Sequence, residues 1–426
     1  MLWVMIAGAF ALFQGSLLLL FAWEQARYHR GRAVSPLPTG DFPAVRLIVP
    51  CRGVDPQMED NLRALFELRY PRLEFCFVVE TLRDSAVEII RRLQSSTRVD
   101  CRIVEAGLAV DTGQKVHNLI AACRLPRGDR DVLAFVDSDA RPHPDWLSRL
   151  TQRLAGLKYA VVTGYRWYEP VHGDWPSRLV SAINNIVIGL LGPHGFNLVW
   201  GGAWAIRGEV FDQLGLPDAW RGSLSDDLII SRLVRKANLR VAYEPHALVT
   251  SPAVFTWNSG GEFLRRQFLV VRNYVPRWWH FGFWGGLFGQ LTLWGLATAA
   301  VVGVGASSNH GIPALLSGVV YLLGVCRWGL SLSAVRPFIR VSDASFRSVS
   351  RINIWAWPLV SLATWGALLS AAFGRTIVWR GIRYSMDAPN RTRILNREPT
   401  PEVASIRLAI QTSQTESPAT AARRAA

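Results

Sequence analysis

From Leu2 to Trp23 the chain carries no charged side chain, a run long enough to cross the hydrocarbon layer as a helix. A crossing segment must satisfy its backbone internally, so this run restricts the fold more than any other feature. It is not shaped like a cleavable leader, because its basic residues, Arg27, Arg30 and Arg32, follow the apolar run instead of preceding it. The positive-inside rule makes residues 1–24 an anchor with its N-terminus outside. The next domain is then expected in the cytoplasm, at the plasma (inner) membrane.

Three more runs lie near the C-terminus. Among acidic and basic residues, Trp278 to Gly305 holds only His280, Gly311 to Ala334 only Arg327, and Ile352 to Gly374 none. Residues 278–374 therefore read as a membrane region with two to three spans. Three spans would put the basic segment 375–395 on the far side of the membrane, against the positive-inside rule. One run is expected to be re-entrant or interfacial. The net charge of +15 then reads as Lys/Arg beside anionic lipid. The basic residues are scattered and no recognition motif accompanies them, which argues against nucleic acid as a partner. Five cysteines without metal-ligand spacing indicate neither zinc nor a disulfide framework. The tail over 396–426 is rich in Ser, Thr, Ala and Pro and reads as disordered.

After the linker Ser35-Pro-Leu-Pro-Thr-Gly, residues 45–277 alternate strand and helix patterns. Strands are expected at Val45–Val49, Phe75–Val79, Arg102–Val104 and Val132–Val136, with helices at Met58–Leu68, Asp84–Leu93 and Lys115–Cys123 between them. Such alternation predicts an α/β domain with a mainly parallel sheet. Further on, Trp146–Leu154 and Ser177–Leu191 read as helices and Tyr159–Thr163 as a strand. The strand-like run Val199–Arg207 contains Gly201 and Gly202, which allow close backbone approach to a ligand or another chain. Gly260 to Arg277 mixes Arg265, Arg266, Arg272 and Arg277 with aromatic residues, a composition suited to a membrane interface.

The chemistry gathers at acidic sites. Asp131-Val-Leu-Ala-Phe-Val-Asp137-Ser-Asp139 is a buried-strand pattern ending in two carboxylates, and ligands bind at such strand ends in open α/β sheets. Asp137 and Asp139 can hold a hard divalent cation, Mg or Mn; alone, they would also suit a solvated turn. Ser225 is a plausible N-cap for a helix whose first turn holds Asp226 and Asp227. Acids there also favour the helix dipole without any function. Glu80 and Asp84 follow the second strand.

In that order these sites resemble the inverting GT-A glycosyltransferases, and more closely the ceramide glucosyltransferase family and its bacterial relatives. The resemblance rests on Asp55-Pro, Asn61-Leu, Phe66-Glu-Leu-x-Tyr70-Pro71, Gln114-Lys115-Val-His-Asn118-Leu and Val136-Asp137-Ser138. Val199-Trp-Gly-Gly with Arg207, Asp226-Asp227 and Trp379-Arg380 with Arg383-Tyr384 complete it. It implies a GT-A domain flanked by transmembrane helices that takes a nucleotide-sugar donor, a UDP-sugar, and a lipid acceptor. Glu80, Asp84, Lys115 and Asp137 are implied in donor binding, Asp137 and Asp139 in holding the metal, and Asp227 as the general base. Asp226, Arg266 and Arg272 are implied at the acceptor or the diphosphate. One element departs: the family's (Gln/Arg)-x-x-Arg-Trp reads here Arg266-Gln267-Phe268-Leu269-Val270. Either Arg272, or Arg277-Trp278, supplies the missing pair from a shifted register, or the acceptor chemistry differs from the family's. Alternative readings are a processive polysaccharide synthase and a catalytically silent membrane adaptor that retains the fold.

Overall fold

The computed structural model describes residues 2–397 apart from 56, 98, 157 and 306–310. The expected disordered tail lies outside these residues, except that Asn396 and Arg397 close the last strand. Helix α1 (Leu2–Ala33) precedes β1 (Val45–Pro50), α2 (Met58–Phe66), β2 (Leu73–Val79), α3 (Ser85–Ser95), β3 (Asp100–Glu105), α4 (Gln114–Cys123) and β4 (Val132–Val136). Then come α5 (Trp146–Ala155), β5 (Val161–Pro170), α6 (Trp175–Ile188), β6 (Ala203–Arg207), α7 (Gly208–Gln213), α8 (Leu216–Ala219), α9 (Asp226–Lys236) and β7 (Val241–Ala253). Helices α10 (Trp257–Tyr274), α11 (Pro276–Gly305), α12 (Gly311–Val335), α13 (Asp343–Trp355) and α14 (Trp357–Ser370) lead to β8 (Thr376–Trp379), β9 (Ile382–Ala388) and β10 (Arg391–Arg397).

The main sheet has seven strands in the order β3-β2-β1-β4-β6-β5-β7. Strands β3, β2, β1 and β4 run parallel, β6 is antiparallel to both its neighbours, and β5 pairs parallel with β7. This is the mainly parallel α/β sheet that the sequence pattern predicts. Both faces of the central strands are covered, and β4 is apolar on both sides. In β4, Leu133 and Phe135 join the cluster under α4 and α9, while Val132, Ala134 and Val136 join the one under α2, α3 and α5. On the first face Phe135 stacks on Trp204 of β6 at 4.0 Å, with Trp220 edge-on to both rings. That aromatic block holds the ends of β4 and β6 together just below the acidic loop.

Two segments depart from expectation. The run Val199–Arg207 becomes strand only from Ala203, because the two glycines form a turn. The basic segment 375–395 is not a plain juxtamembrane stretch: it forms most of an antiparallel sheet, β10-β9-β8. Its buried Ile377, Ile382, Tyr384 and Met386 pack on the same core cluster as α4 and α9, while Arg375, Arg383, Arg391 and Arg393 are exposed.

Strand β7 bulges against β5, the register passing from Thr163↔Tyr243 to Tyr165↔Leu248. The extra residues hold the end of α1. Arg32 pairs with the buried Glu244 at 2.6 Å, the Tyr28 hydroxyl donates to the Tyr243 carbonyl at 2.6 Å, and the His246 ring meets the Arg32 carbonyl at 2.9 Å. Among the described residues, three helices, over Val4–Ala33, Pro276–Val302 and Gly311–Phe338, are long and apolar enough to cross a membrane. The run Ile352–Gly374 instead spans a break: α13 and α14 meet at 85°.

Gly164 sits inside the bulge, where an added Cβ would lie 1.9 Å from the Ala247 carbonyl oxygen. Backbone cannot yield there as a flexible side chain could. Gly164→Ala is therefore expected to destabilise the protein by about 2–3 kcal/mol, read as a lowered melting temperature in detergent.

Candidate active site

The carboxyl ends of β1 and β4 and the amino end of α9 surround one cleft of about 570 Å³. Asp137 leaves β4 with its amide still bonded to the Gly202 carbonyl at 3.2 Å, so the sheet itself aims its carboxylate into the cleft. Gly202 has no room for a side chain: an added Cβ would meet the Trp200 ring at 2.3 Å and Asp137 Oδ2 at 2.6 Å. This is the close approach expected of the two glycines, made to the site's own residues.

Lys115, in the first turn of α4, bridges the two acidic elements. Its Nζ lies 2.9 Å from Asp137 Oδ1 and 3.5 Å from Asp226 Oδ1, and donates to the Gly201 carbonyl at 3.2 Å. Burial opposes the Lys115 charge, but Asp137, Asp226 and Asp227 more than reverse this and raise its pKa. For Asp137, burial is likewise outweighed by Lys115 and Arg166, which hold its carboxyl below the ordinary value. Arg166 of β5 grips both carboxylates of the acidic loop, Asp137 Oδ2 at 3.3 Å and Asp139 Oδ2 at 3.2 Å. Its guanidinium lies over Trp200 at 4.5 Å and Tyr168 at 4.9 Å, which fixes its plane.

Asp227 and Asp226 are neighbours with different surroundings. Asp227 Oδ2 accepts from the Gly201 amide at 3.0 Å, and its Oδ1 accepts from the Leu228 amide at 2.8 Å and from the Ser225 hydroxyl. Ser225 caps α9 as expected. Asp226 is 3% exposed and its Oδ2 has no hydrogen-bond partner among the described residues. Burial pushes its pKa up to about 7, with Lys115 opposing and Asp227 and Asp137 adding to the rise.

The other expected site residues divide. Arg266 lines the cleft, its guanidinium over Phe263 at 5.2 Å and Trp379 at 5.4 Å. Glu80 lies at the edge, paired with Arg52 at 3.0 Å and Arg397 at 3.4 Å, and does not line the cleft. Asp84 caps α3, accepting from the amides of Ala86 at 2.9 Å and Gly53 at 3.0 Å. Arg272 is not brought to the site: it donates to the carbonyls of Ala371, at 2.6 Å, and Gly374, after α14. Neither Arg277 nor Trp278 lines the cleft.

Sequence reasoning gave no role to Asp55, Arg166 or Arg380, all of which line the cleft. Asp55 and Arg380 stood in quoted motifs. The signal for Arg166 was a lone cation in the aromatic strand Tyr165-Arg166-Trp167-Tyr168.

From these acids and cations the cleft continues without a break along apolar side chains of α6 and α10, among them Ile183, Val187, Leu264, Phe268 and Val271. An acidic loop at a parallel strand's end, a buried lysine and a helix-start carboxylate, on this sheet, define a glycosyltransferase of the GT-A type. The chain belongs to glycosyl transferase family 21, whose profile matches residues 3–392. Ceramide glucosyltransferase 1 of Caenorhabditis elegans is 29% identical over 149 residues, 34% of this chain and 31% of that protein. Ceramide glucosyltransferase 3 of the same organism is 25% identical over 122 residues, 28% and 26% of the two chains. The alignments thus span less than a third of these curated relatives.

Among solved structures, mannosyltransferase PcManGT from Pyrobaculum calidifontis, in complex with GDP-Man and Mn2+, covers 86% of this chain and 97% of its own, at 16% identity and a TM-score of 0.47. Glucosyl-3-phosphoglycerate synthase from Mycobacterium tuberculosis, with Mn2+, UDP and glucosyl-3-phosphoglycerate, covers 54% and 79%, at 14% identity and a TM-score of 0.35.

The Asp226 proton has a measurable consequence. The native state keeps a proton that the unfolded chain releases near 3.8, so between about pH 4 and 7 the native state binds more protons. Stability therefore falls as pH rises through that window and levels off above it. Asp226→Asn should remove this contribution, so that the variant's melting temperature gains on wild type between pH 5 and pH 8. Parallel melting curves would contradict the assignment.

Proposed function

We propose that this chain transfers a hexose, glucose first, from a UDP-sugar to the hydroxyl of a membrane lipid such as ceramide, with inversion at the anomeric carbon. The observation that carries the reading is the continuity of the cleft, charged at the sheet end and apolar between α6 and α10. That profile suits an acceptor with a polar head and a hydrocarbon tail. The nearby candidate spans would let such a lipid enter sideways.

In this reading Asp227 takes the proton of the acceptor hydroxyl as its oxygen attacks the anomeric carbon from the face opposite the nucleotide. The bond to the nucleotide oxygen breaks, and its electron pair leaves with the diphosphate. A carboxylate suffices because the hydroxyl becomes acidic only as the new bond forms. The bonds from Gly201, Leu228 and Ser225 to Asp227 hold its orientation. Lys115 sits between Asp137 and Asp226, and Glu80 with Asp84 would lie toward the nucleoside end of the donor. The residues present fit a divalent cation. Asp139 Oδ1 is buried without a hydrogen-bond partner among the described residues, and it lies in the same cleft as the Asp137 carboxylate. Asp137 and Asp139 would hold Mg or Mn, which when bound neutralises charge on the diphosphate.

Membrane topology supports the same reading. With α1 crossing inward and α11 and α12 forming an out-and-back pair, the bent α13–α14 pair must return to the side it left, because β8–β10 touches the catalytic domain. The Thr392 amide, for instance, donates to the Gly222 carbonyl at 2.9 Å. The catalytic domain and the basic C-terminal sheet then share the cytoplasmic side of the plasma membrane, as the positive-inside rule requires.

Membranes containing the protein, given labelled UDP-glucose with Mn or Mg and ceramide, should place label in the organic phase. An insoluble polymer, or no turnover with any sugar donor, would overturn the reading. Asp227→Asn should lower transfer by roughly 10³-fold while UDP binding stays near wild type. Near-normal turnover would remove Asp227 from the role of base.

A further inference from the structure

The two-residue turn between β8 and β9 is built unlike most such turns. Trp379 pairs with Ile382, leaving Arg380 and Gly381 as the loop, with φ of 48° and 71°. Tight hairpins of this left-handed kind favour Asn-Gly or Gly-Gly. An arginine in that conformation is uncommon, and for most L-residues it costs roughly 1–2 kcal/mol. Residues kept in such conformations direct attention to what their side chains do.

The Arg380 side chain binds residues more than three hundred positions earlier in the chain. Its Nη2 pairs with Asp55 Oδ2 at 2.7 Å and its Nη1 donates to the Arg52 carbonyl at 2.6 Å. Beside it the Trp379 ring lies under the Arg266 guanidinium. Arg266 has no carboxylate partner among the described residues, although it lines a cleft with five of them. The cleft's inner cations, Lys115 and Arg166, have side chains 15% and 13% exposed and are committed to Asp137, Asp139 and Asp226. Arg380 is 34% exposed at the mouth, and a guanidinium has five N–H donors, so donors remain for an incoming anion.

The sheet that carries the turn is fastened to the donor side of the domain. The Tyr384 hydroxyl accepts from the Gln114 amide at 3.2 Å, one residue before Lys115. Arg397 reaches Gln114 Oε1 at 3.0 Å and Glu80 at 3.4 Å. Position 380 is thereby set relative to α4 and the acidic loop.

We propose that the β8–β9 turn completes the donor site: Arg380 binds the diphosphate of the nucleotide together with Arg266, and Trp379 keeps Arg266 turned toward it. The Arg-Trp pair that α10 lacks in sequence is thus met in space by Trp379 and Arg380 from beyond the membrane region. The proposal rests on the reading of a nucleoside-diphosphate sugar as donor.

Arg380→Asn separates the side chain's role from the turn's, because Asn-Gly is favoured in this turn. The full-length protein in detergent would be titrated with UDP and with UMP, and its melting temperature recorded. The variant should keep a cooperative melting transition and bind UDP roughly 10- to 100-fold more weakly, the loss expected for charge-assisted hydrogen bonds. UMP affinity should change far less, and Arg380→Lys should recover part of the UDP affinity. Equal losses for UDP and UMP, or a lowered melting temperature with both lost, would assign Arg380 a structural role and overturn the proposal. Unchanged UDP affinity in the variant would overturn the assignment of Arg380 alone. Wild-type protein that binds no UDP would overturn the donor reading and this proposal with it.

Discussion

The contact on which the rest depends is the buried ammonium of Lys115 between Asp137 and Asp226. One side chain from α4 ties the end of β4 to the start of α9, two elements far apart in sequence. Without it, two carboxylates would face each other in a buried site, a situation that costs several kcal/mol when a partner is removed. Arg166 performs the matching task on the other side, clamping Asp137 to Asp139. The site is therefore assembled by charge pairing across elements that the hydrophobic core has already brought close, with Phe135, Trp204 and Trp220 beneath.

The same economy of contact joins the soluble domain to its membrane helices. The bulge of β7 exists because β5 and β7 lose register at Gly164, and the residues so freed hold the end of α1 through Arg32 and Glu244. On the opposite side, Asn353 of α13 donates to the Ala182 carbonyl of α6 at 2.8 Å and accepts from Asn185 at 2.9 Å. Helix α6 thus faces the cleft with Ile183 and Val187 while its other side docks on the bent helix pair. The apolar end of the cleft is held directly by the segment expected at the membrane, and the charged end by the sheet.

Much of this was legible in the residues. Strands β1 to β4, the acidic loop, the helix of Lys115 and the Ser225 cap follow from periodicity and capping chemistry, which are local. The parts that stayed hidden depend on distant partners. Strand β7 contains Pro245 and Pro252 and bulges, so its alternation is broken. The strands of the C-terminal sheet carry arginines on the exposed face of short segments, which reads as a basic tail until a core is found beneath Ile382 and Tyr384. Arg166 and Arg380 belong to the site only through pairing with Asp137, Asp139 and Asp55, which no spacing rule encodes. Arg272 shows the converse, since its spacing suited a site and its guanidinium instead satisfies backbone carbonyls after α14.

The central claim is a single displacement across this cleft, with the donor at the charged end, the acceptor at the apolar end and a carboxylate of α9 taking the proton. Its most direct measurement is the anomeric configuration of the glycolipid made from α-linked UDP-glucose, read by NMR. The account predicts a β-linked product; an α-linked product would contradict it.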